Sequence, residues 1–285
     1  MFKAIRTFIL DPLEFIPLFV VFVLFRLLPV VWASWLGGRI ARSLCPLLPV
    51  HQVGVENLKK AFPQWASQKR EGVLKDAWEN LGRVVGEFPH VQSIARTRTQ
   101  VVDHCGLDTV EQHTVSRIFF SAHMANWEIP HLVFTARGMQ ISLLSRPPNN
   151  WVTRWFFQWV RKDPKVKIIL KGAEGSKDFL RTLQGGQNMG ILLDQRLSEG
   201  KQIPFFGRPA LTPVGPGKFA ARFGALMIPV QVVRLPHARF KIIYHKAIKT
   251  PSDPEKIART INTIYEAWIT EHPDQWLWFH NRWKL

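Results

Sequence analysis

The sequence predicts an α/β protein with a mostly parallel central sheet flanked by helices, preceded by a membrane-anchoring N-terminal helix and a helical pair. Three observations predict it. From residue 117 onward, short apolar runs alternate with helix-length segments. Across 51–91, apolar residues recur at helical spacing. Before both lies Phe15 to Leu36, 22 residues with a single charge, Arg26.

That N-terminal run is long enough to cross a hydrocarbon core of about 30 Å. Arg26 near its centre and the interruptions at Pro17 and Pro29 argue the other way, because a mid-bilayer arginine costs about 3 kcal/mol on insertion scales. A full span and a re-entrant or oblique anchor both remain open, beside a buried core helix. Asp11 and Glu14 before the run, and the lack of an A-x-A site after it, argue against a cleaved signal. Basic residues flank both ends, Lys3 and Arg6 before, Arg39 and Arg42 after, so charge sets no orientation. Residues 1–38 are therefore expected to be an anchor, 39–100 a helical cover and 101–285 an α/β core.

In the cover, Leu58, Phe62 and Trp65 share one helical face, and Val73, Leu74, Ala77, Trp78, Leu81, Val84, Val85 and Phe88 share another. An antiparallel helix pair follows. In the core, Ile118–Phe120, Ile141–Leu144, Val166–Leu170, Met189–Leu193, Leu226–Val233 and Phe240–Tyr244 read as strands. Helices are expected at 128–138, 151–162, 174–184 and 214–224. The last two strands, parted by Pro236-His237-Ala238, suit an antiparallel hairpin. Ser252 to Glu271 reads as a closing helix, with Ser252 or Asp253 as its cap and Pro254 in its first turn.

A net charge of +17 favours anionic partners: nucleic acid, acidic lipid headgroups, phosphorylated substrates or an acidic carrier protein. The basic residues are dispersed and no nucleic-acid motif appears, which argues against a nucleic-acid-binding module. Cys45 and Cys105 are too few for a disulfide framework and too far apart for a CxxC metal site. Twelve tryptophans against two tyrosines suit a protein that sits on an anionic membrane. Trp151, Trp155 and Trp159 recur at i, i+4, i+8 with Arg154, Arg161 and Lys162 among them, either an interfacial face or a core stripe.

Chemistry concentrates at His123-Met124-Ala125-Asn126-Trp127-Glu128, just after a predicted strand. Ligands in open α/β sheets bind beyond the carboxyl ends of strands. On one regular helix a spacing of five would turn the two side chains about 140° apart, so the pair works only across a strand-to-helix turn. There His123 can act as a general base and Glu128 can hold its tautomer. No nucleophile stands beside them, which points to direct group transfer onto a hydroxyl. His123, Glu128, His131 and Asp194 lack HExxH spacing, so no metal is expected.

The block Ser121-Ala122-His123-Met124-Ala125-Asn126-Trp127-Glu128 resembles the SAH-x-x-NWE block of the lipid A biosynthesis acyltransferases, the lauroyl/myristoyl transferases of Gram-negative bacteria, within the His-x4-Asp/Glu lysophospholipid-acyltransferase-like superfamily. Other blocks follow in family order: Asn57-Leu58 with Ala61-Phe62-Pro63; Ser145-Arg146-Pro147 with Asn149 and Arg161; Leu193-Asp194-Gln195; Ile203-Pro204-Phe205-Phe206-Gly207 with Ala210 and Thr212; and Pro273-Asp274-Gln275-Trp276-Leu277-Trp278 with His280, Arg282, Trp283 and Lys284. The similarity runs from about residue 40 to the end. Ala125 replaces the family's usual glycine and Asn281 a frequent arginine.

The resemblance implies a glycerol-phosphate-acyltransferase-like fold over 39–285. It implies acyl transfer from an acyl-carrier-protein thioester to a hydroxyl of a phosphorylated lipid A precursor, without a cofactor. It places the chain at the inner membrane with its catalytic domain on the cytoplasmic face. His123 would be the base and Glu128 its orienter. Arg146 and Arg161 would meet the oxyanion or nearby phosphates, and Asp194 and Gln195 would line the same face. The alternative for Asp194 is a cap or a structural salt bridge. An acyltransferase acting on another glycolipid, of the phosphatidylinositol-mannoside kind, shares the His/carboxylate logic. Acyl chain length, acceptor hydroxyl and oligomeric state are not encoded in these motifs.

Overall fold

A computed structural model describes residues 10–107, 115–146, 148–170, 172–250 and 252–284. Lys3, Arg6 and Pro147 lie outside the described residues. The N-terminal apolar run forms two helices, α1 (Asp11–Leu27) and α2 (Val30–Leu44). The break falls at Leu28, whose extended conformation is the one a following proline enforces.

The spanning form of the expected anchor is not supported. Among the described residues no helix is long and apolar enough to cross a membrane. Only one side of α2 is free. Ala33, Ser34, Gly37, Gly38 and Ala41 are buried, while Trp32, Trp35, Leu36 and Ile40 are exposed. The buried stripe lies on α4 (Ser67–Glu87), which follows α3 (His51–Ala61). The approach is close: a Cβ on Gly37 would lie 2.4 Å from the Gly82 carbonyl oxygen, and one on Gly82 2.2 Å from that of Gly37. Arg26 turns toward the domain and donates through Nη1 to His90 Nδ1 at 3.4 Å.

After the short α5 (Val91–Thr97), the chain builds a seven-stranded sheet in the order β1-β9-β8-β2-β5-β3-β4. The strands are β1 (Thr99–Asp103), β2 (Arg117–Ser121), β3 (Ile141–Ser145), β4 (Val166–Leu170), β5 (Asn188–Leu192), β8 (Leu226–Leu235) and β9 (Arg239–Tyr244). All neighbours are parallel except the β8–β9 hairpin. All six expected strands form, and β1 adds an edge strand that its polar ends conceal. Helices α6 (Pro130–Ala136), α7 (Trp151–Val160), α8 (Ala173–Gln184), α9 (Gly215–Phe223) and α10 (Pro254–Glu271) follow the expected segments. Asp253 caps α10 by accepting from Glu255 N at 2.9 Å.

The sequence block 203–207 lies in a small hairpin, β6 (Lys201–Phe205) with β7 (Arg208–Thr212). Phe206 and Gly207 both have positive φ, 50° and 69°, as a two-residue hairpin turn requires. Cores lie on both faces of the large sheet. One joins Ile118, Phe120, Met189 and Ile191 to α8, α9, α10 and the C-terminal tryptophans. The other joins Phe119, Ile141, Val230 and Tyr244 to α5 and α6.

Candidate active site

Strands β2 and β5 are parallel neighbours, with Ser121 opposite Leu192. Continuing that register two residues past both strand ends sets His123 opposite Asp194. The Leu193 N–H bond to the Ser121 carbonyl, 3.2 Å, carries the pairing beyond the strands. The result is a 2.8 Å contact between His123 Nδ1 and Asp194 Oδ1. A carboxylate can only accept, so Nδ1 carries the proton and Nε2 is left as the basic nitrogen.

Asp194 is fully buried. Its Oδ2 accepts from the His123 backbone N–H at 3.0 Å and from Trp276 Nε1 at 2.8 Å. Burial alone would raise this carboxyl. The charge and hydrogen bond of His123, with a further contribution from His280, outweigh burial and hold it well below the usual carboxylate range.

Glu128 faces a different partner. Arg161 grips its carboxylate with two bonds, Nε to Oε2 at 2.7 Å and Nη2 to Oε1 at 2.6 Å. The Arg161 guanidinium also lies 5.0 Å from the Phe157 ring centroid. The carboxylate on the imidazole is thus Asp194, 71 residues away in sequence, and Glu128 serves the arginine. Glu128 lies in the turn before α6, where its N–H donates to Asn126 Oδ1 at 3.2 Å.

His123, Glu128 and Arg161 all line one cavity of about 220 Å³. Its interior runs between α6 and the sheet, past Phe119, Phe134, Leu143, Ile168 and Val230. It is an apolar slot with an acid–base pair and a cation at its polar end. Arg146 is exposed and Gln195 half-buried, and neither lines this cavity. Among the described residues no three His, Cys, Asp or Glu side chains group as metal ligands.

Residues 7–285 match the sequence profile of the bacterial lipid A biosynthesis acyltransferases. The chain belongs to that family. It is 24% identical to a lipid A biosynthesis acyltransferase of Haemophilus influenzae, covering 78% of this chain and 72% of the relative. It is also 24% identical to two Escherichia coli K12 proteins. For the lipid A biosynthesis palmitoleoyltransferase, 90% of this chain and 86% of the relative are covered. For the lipid A biosynthesis lauroyltransferase the shares are 80% and 77%.

The acyltransferase's sequence blocks converge behind His123. The Leu277 N–H donates to the His123 carbonyl at 3.0 Å, and the Ala125 N–H to the Gln275 carbonyl at 2.8 Å. Asn57 ties the closing block in place, donating to the carbonyls of Trp278 at 2.7 Å and His280 at 2.6 Å. Ala125 has φ +51°, a left-handed conformation costing a non-glycine residue about 1–2 kcal/mol. The family's glycine at this position has its physical reason there.

The roles of three further residues were not apparent from sequence. Trp276 holds Asp194, and only its place in the closing block marks it. Buried Glu87 accepts from Asn126 Nδ2 at 2.8 Å and from Ser34 Oγ at 2.7 Å, and it pairs with Arg234. A lone carboxylate after Val84-Val85-Gly86 was the available signal. His131, buried in the cavity wall, has no partner for Nε2 among the described residues, and burial pushes its pKa down to about 4.

Proposed function

We propose that this acyltransferase moves a fatty acyl group from an acyl-carrier-protein thioester to a hydroxyl of a phosphorylated lipid A precursor, with His123 as general base. The observation that carries this reading is the Asp194–His123 pair at the polar end of an apolar cavity. His123 Nε2 takes the acceptor's O–H proton as its oxygen attacks the thioester carbonyl carbon. Asp194 fixes the tautomer and stabilises the imidazolium. The tetrahedral intermediate collapses with cleavage of the C–S bond. His123 returns the proton to the departing thiolate, so ester and thiol leave and the base is regenerated.

Arg161 supplies positive charge and N–H donors where the oxyanion develops, and Glu128 aims it. The apolar slot takes the acyl chain. Arg146, exposed beside Ser145, is assigned to the approach of an anionic substrate, and Gln195 to support behind Asp194.

Association with the inner membrane, on the cytoplasmic side, is part of the same proposal. Leu13, Ile16, Val20 and Leu24 are exposed on α1, and Trp151, Trp155 and Trp159 are exposed on α7, which packs against α1. Phe22 of α1 lies 6.4 Å from Trp159 and 4.8 Å from Phe156. Tryptophans beside an apolar helix face suit a lipid interface. The test is mass spectrometry of membrane lipids from cells with and without the protein. A mass gain of one fatty acyl group on a lipid A species is expected. An unchanged lipid profile, or a gain that survives His123→Ala, refutes the proposal.

A further inference from the structure

A second cavity, of about 180 Å³, lies between α7 and β4. It shares Ser145, Arg161 and Ile168 with the catalytic cavity, so the two adjoin. Arg154, Arg161 and Lys162 line it, against one carboxylate, Asp163. Arg161 is paired with Glu128 and turned to the catalytic cavity. Asp163 is engaged elsewhere, accepting from Thr135 Oγ1 at 2.7 Å and from Lys165 N at 2.8 Å.

Arg154 and Lys162 remain. Arg154 Nε is buried without a partner, and among the described residues neither side chain forms an ion pair. A buried, unsatisfied guanidinium nitrogen costs stability unless a ligand completes it. A guanidinium fork beside a lysine point charge suits phosphate above other common anions.

We infer that this groove seats a phosphate monoester of the acceptor lipid, held by Arg154 and Lys162, an assignment that rests on the acyl-transfer reading above. Two substrates of that reaction carry phosphate, the acceptor and the diester arm of the carrier. A monoester presents three strong acceptor oxygens to Arg154 and Lys162, where a diester presents two non-bridging ones. Placement agrees. Trp151, Trp155 and Trp159 on the same helix are exposed, so a lipid lying on that face brings its headgroup to the groove.

The test is steady-state transfer by the full chain and by Arg154→Gln/Lys162→Gln, using the phosphorylated acceptor and the same acceptor after phosphatase treatment. The acceptor KM should rise about 10- to 100-fold in the variant. The donor KM and kcat should stay within about threefold, and the difference should vanish on the dephosphorylated acceptor. Arg154→Lys should recover part of the loss. An unchanged acceptor KM overturns the inference. So does a raised donor KM alone, which assigns the groove to the carrier arm. So does an equal penalty on both acceptor forms. If wild type transfers no acyl group, the transfer reading fails and equilibrium binding decides this one. The phosphorylated lipid in detergent micelles must then bind wild type at least tenfold tighter than the double variant, or the groove is not its phosphate site. Should the double variant fail to fold, exposed Lys162→Gln alone must raise the acceptor KM severalfold.

Discussion

Asp194→Asn removes one charge and almost no volume from a site with no exposure to solvent. Asp194 now accepts three hydrogen bonds, from His123 Nδ1, His123 N and Trp276 Nε1. An asparagine has one accepting oxygen and one donating NH2. If its oxygen keeps the backbone N–H and the indole, its NH2 faces Nδ1 and forces the proton to Nε2. The base nitrogen is then occupied. In a histidine–carboxylate dyad, that change of tautomer lowers kcat by about a thousand- to ten-thousandfold, or ~4–5.5 kcal/mol of barrier. KM for either substrate should change little, because Asp194 does not line the cavity. Weaker hydrogen bonds should lower stability by roughly 2 kcal/mol, leaving the chain folded at 25 °C. The assay is initial-rate transfer of a labelled acyl group, with circular dichroism on the same samples. Turnover within tenfold of wild type refutes the role assigned to Asp194. Retained activity in Asp194→Asn together with abolition in Glu128→Gln would return the orienting role to Glu128.

Four further outcomes are expected. Glu128→Gln releases one side of the Arg161 fork and should lower kcat about 10- to 100-fold with little loss of thermal stability, read by kinetics and a melting curve. Gly82→Ala drives a methyl into the Gly37 carbonyl and should destabilise the fold by about 1–3 kcal/mol, measured by denaturant unfolding. Glu87→Gln takes the buried counter-charge from partly buried Arg234 behind the catalytic loop and should cost about 3–5 kcal/mol by the same measurement. The last concerns pH. His131 has a folded pKa near 4 against an ordinary 6.5, so between these values the unfolded chain binds more protons. Its contribution to stability is complete above pH 6.5 and lost as pH falls toward 4. From pH 7 to pH 5 it accounts for about 2 kcal/mol of lost stability, absent in His131→Leu, which paired urea titrations will show.

Local pattern carried much of this protein. Strand–helix alternation after residue 117 is a property of short windows, and it placed six of the seven strands of the main sheet, the β8–β9 hairpin and, among the described residues, the five α-helices from α6 to α10. The ordered blocks marked the family and the strand end bearing His123, because motifs report chemistry that must sit close together. Two decisions belong to the tertiary structure alone. Which carboxylate serves the imidazole is set by the β2–β5 register, and no periodicity near residue 123 can report a partner at 194. The strand end at Leu193-Asp194 made Asp194 visible as a lining candidate and left its partner open. Which face of the N-terminal apolar run is covered was decided by contacts with a distant helix. Hydropathy counts Gly37, Ala33 and Ala41 as apolar whichever surface they meet. The glycines at 82 and 86 let α4 approach closely enough to take that face, and only the outer face of α2 stays bare.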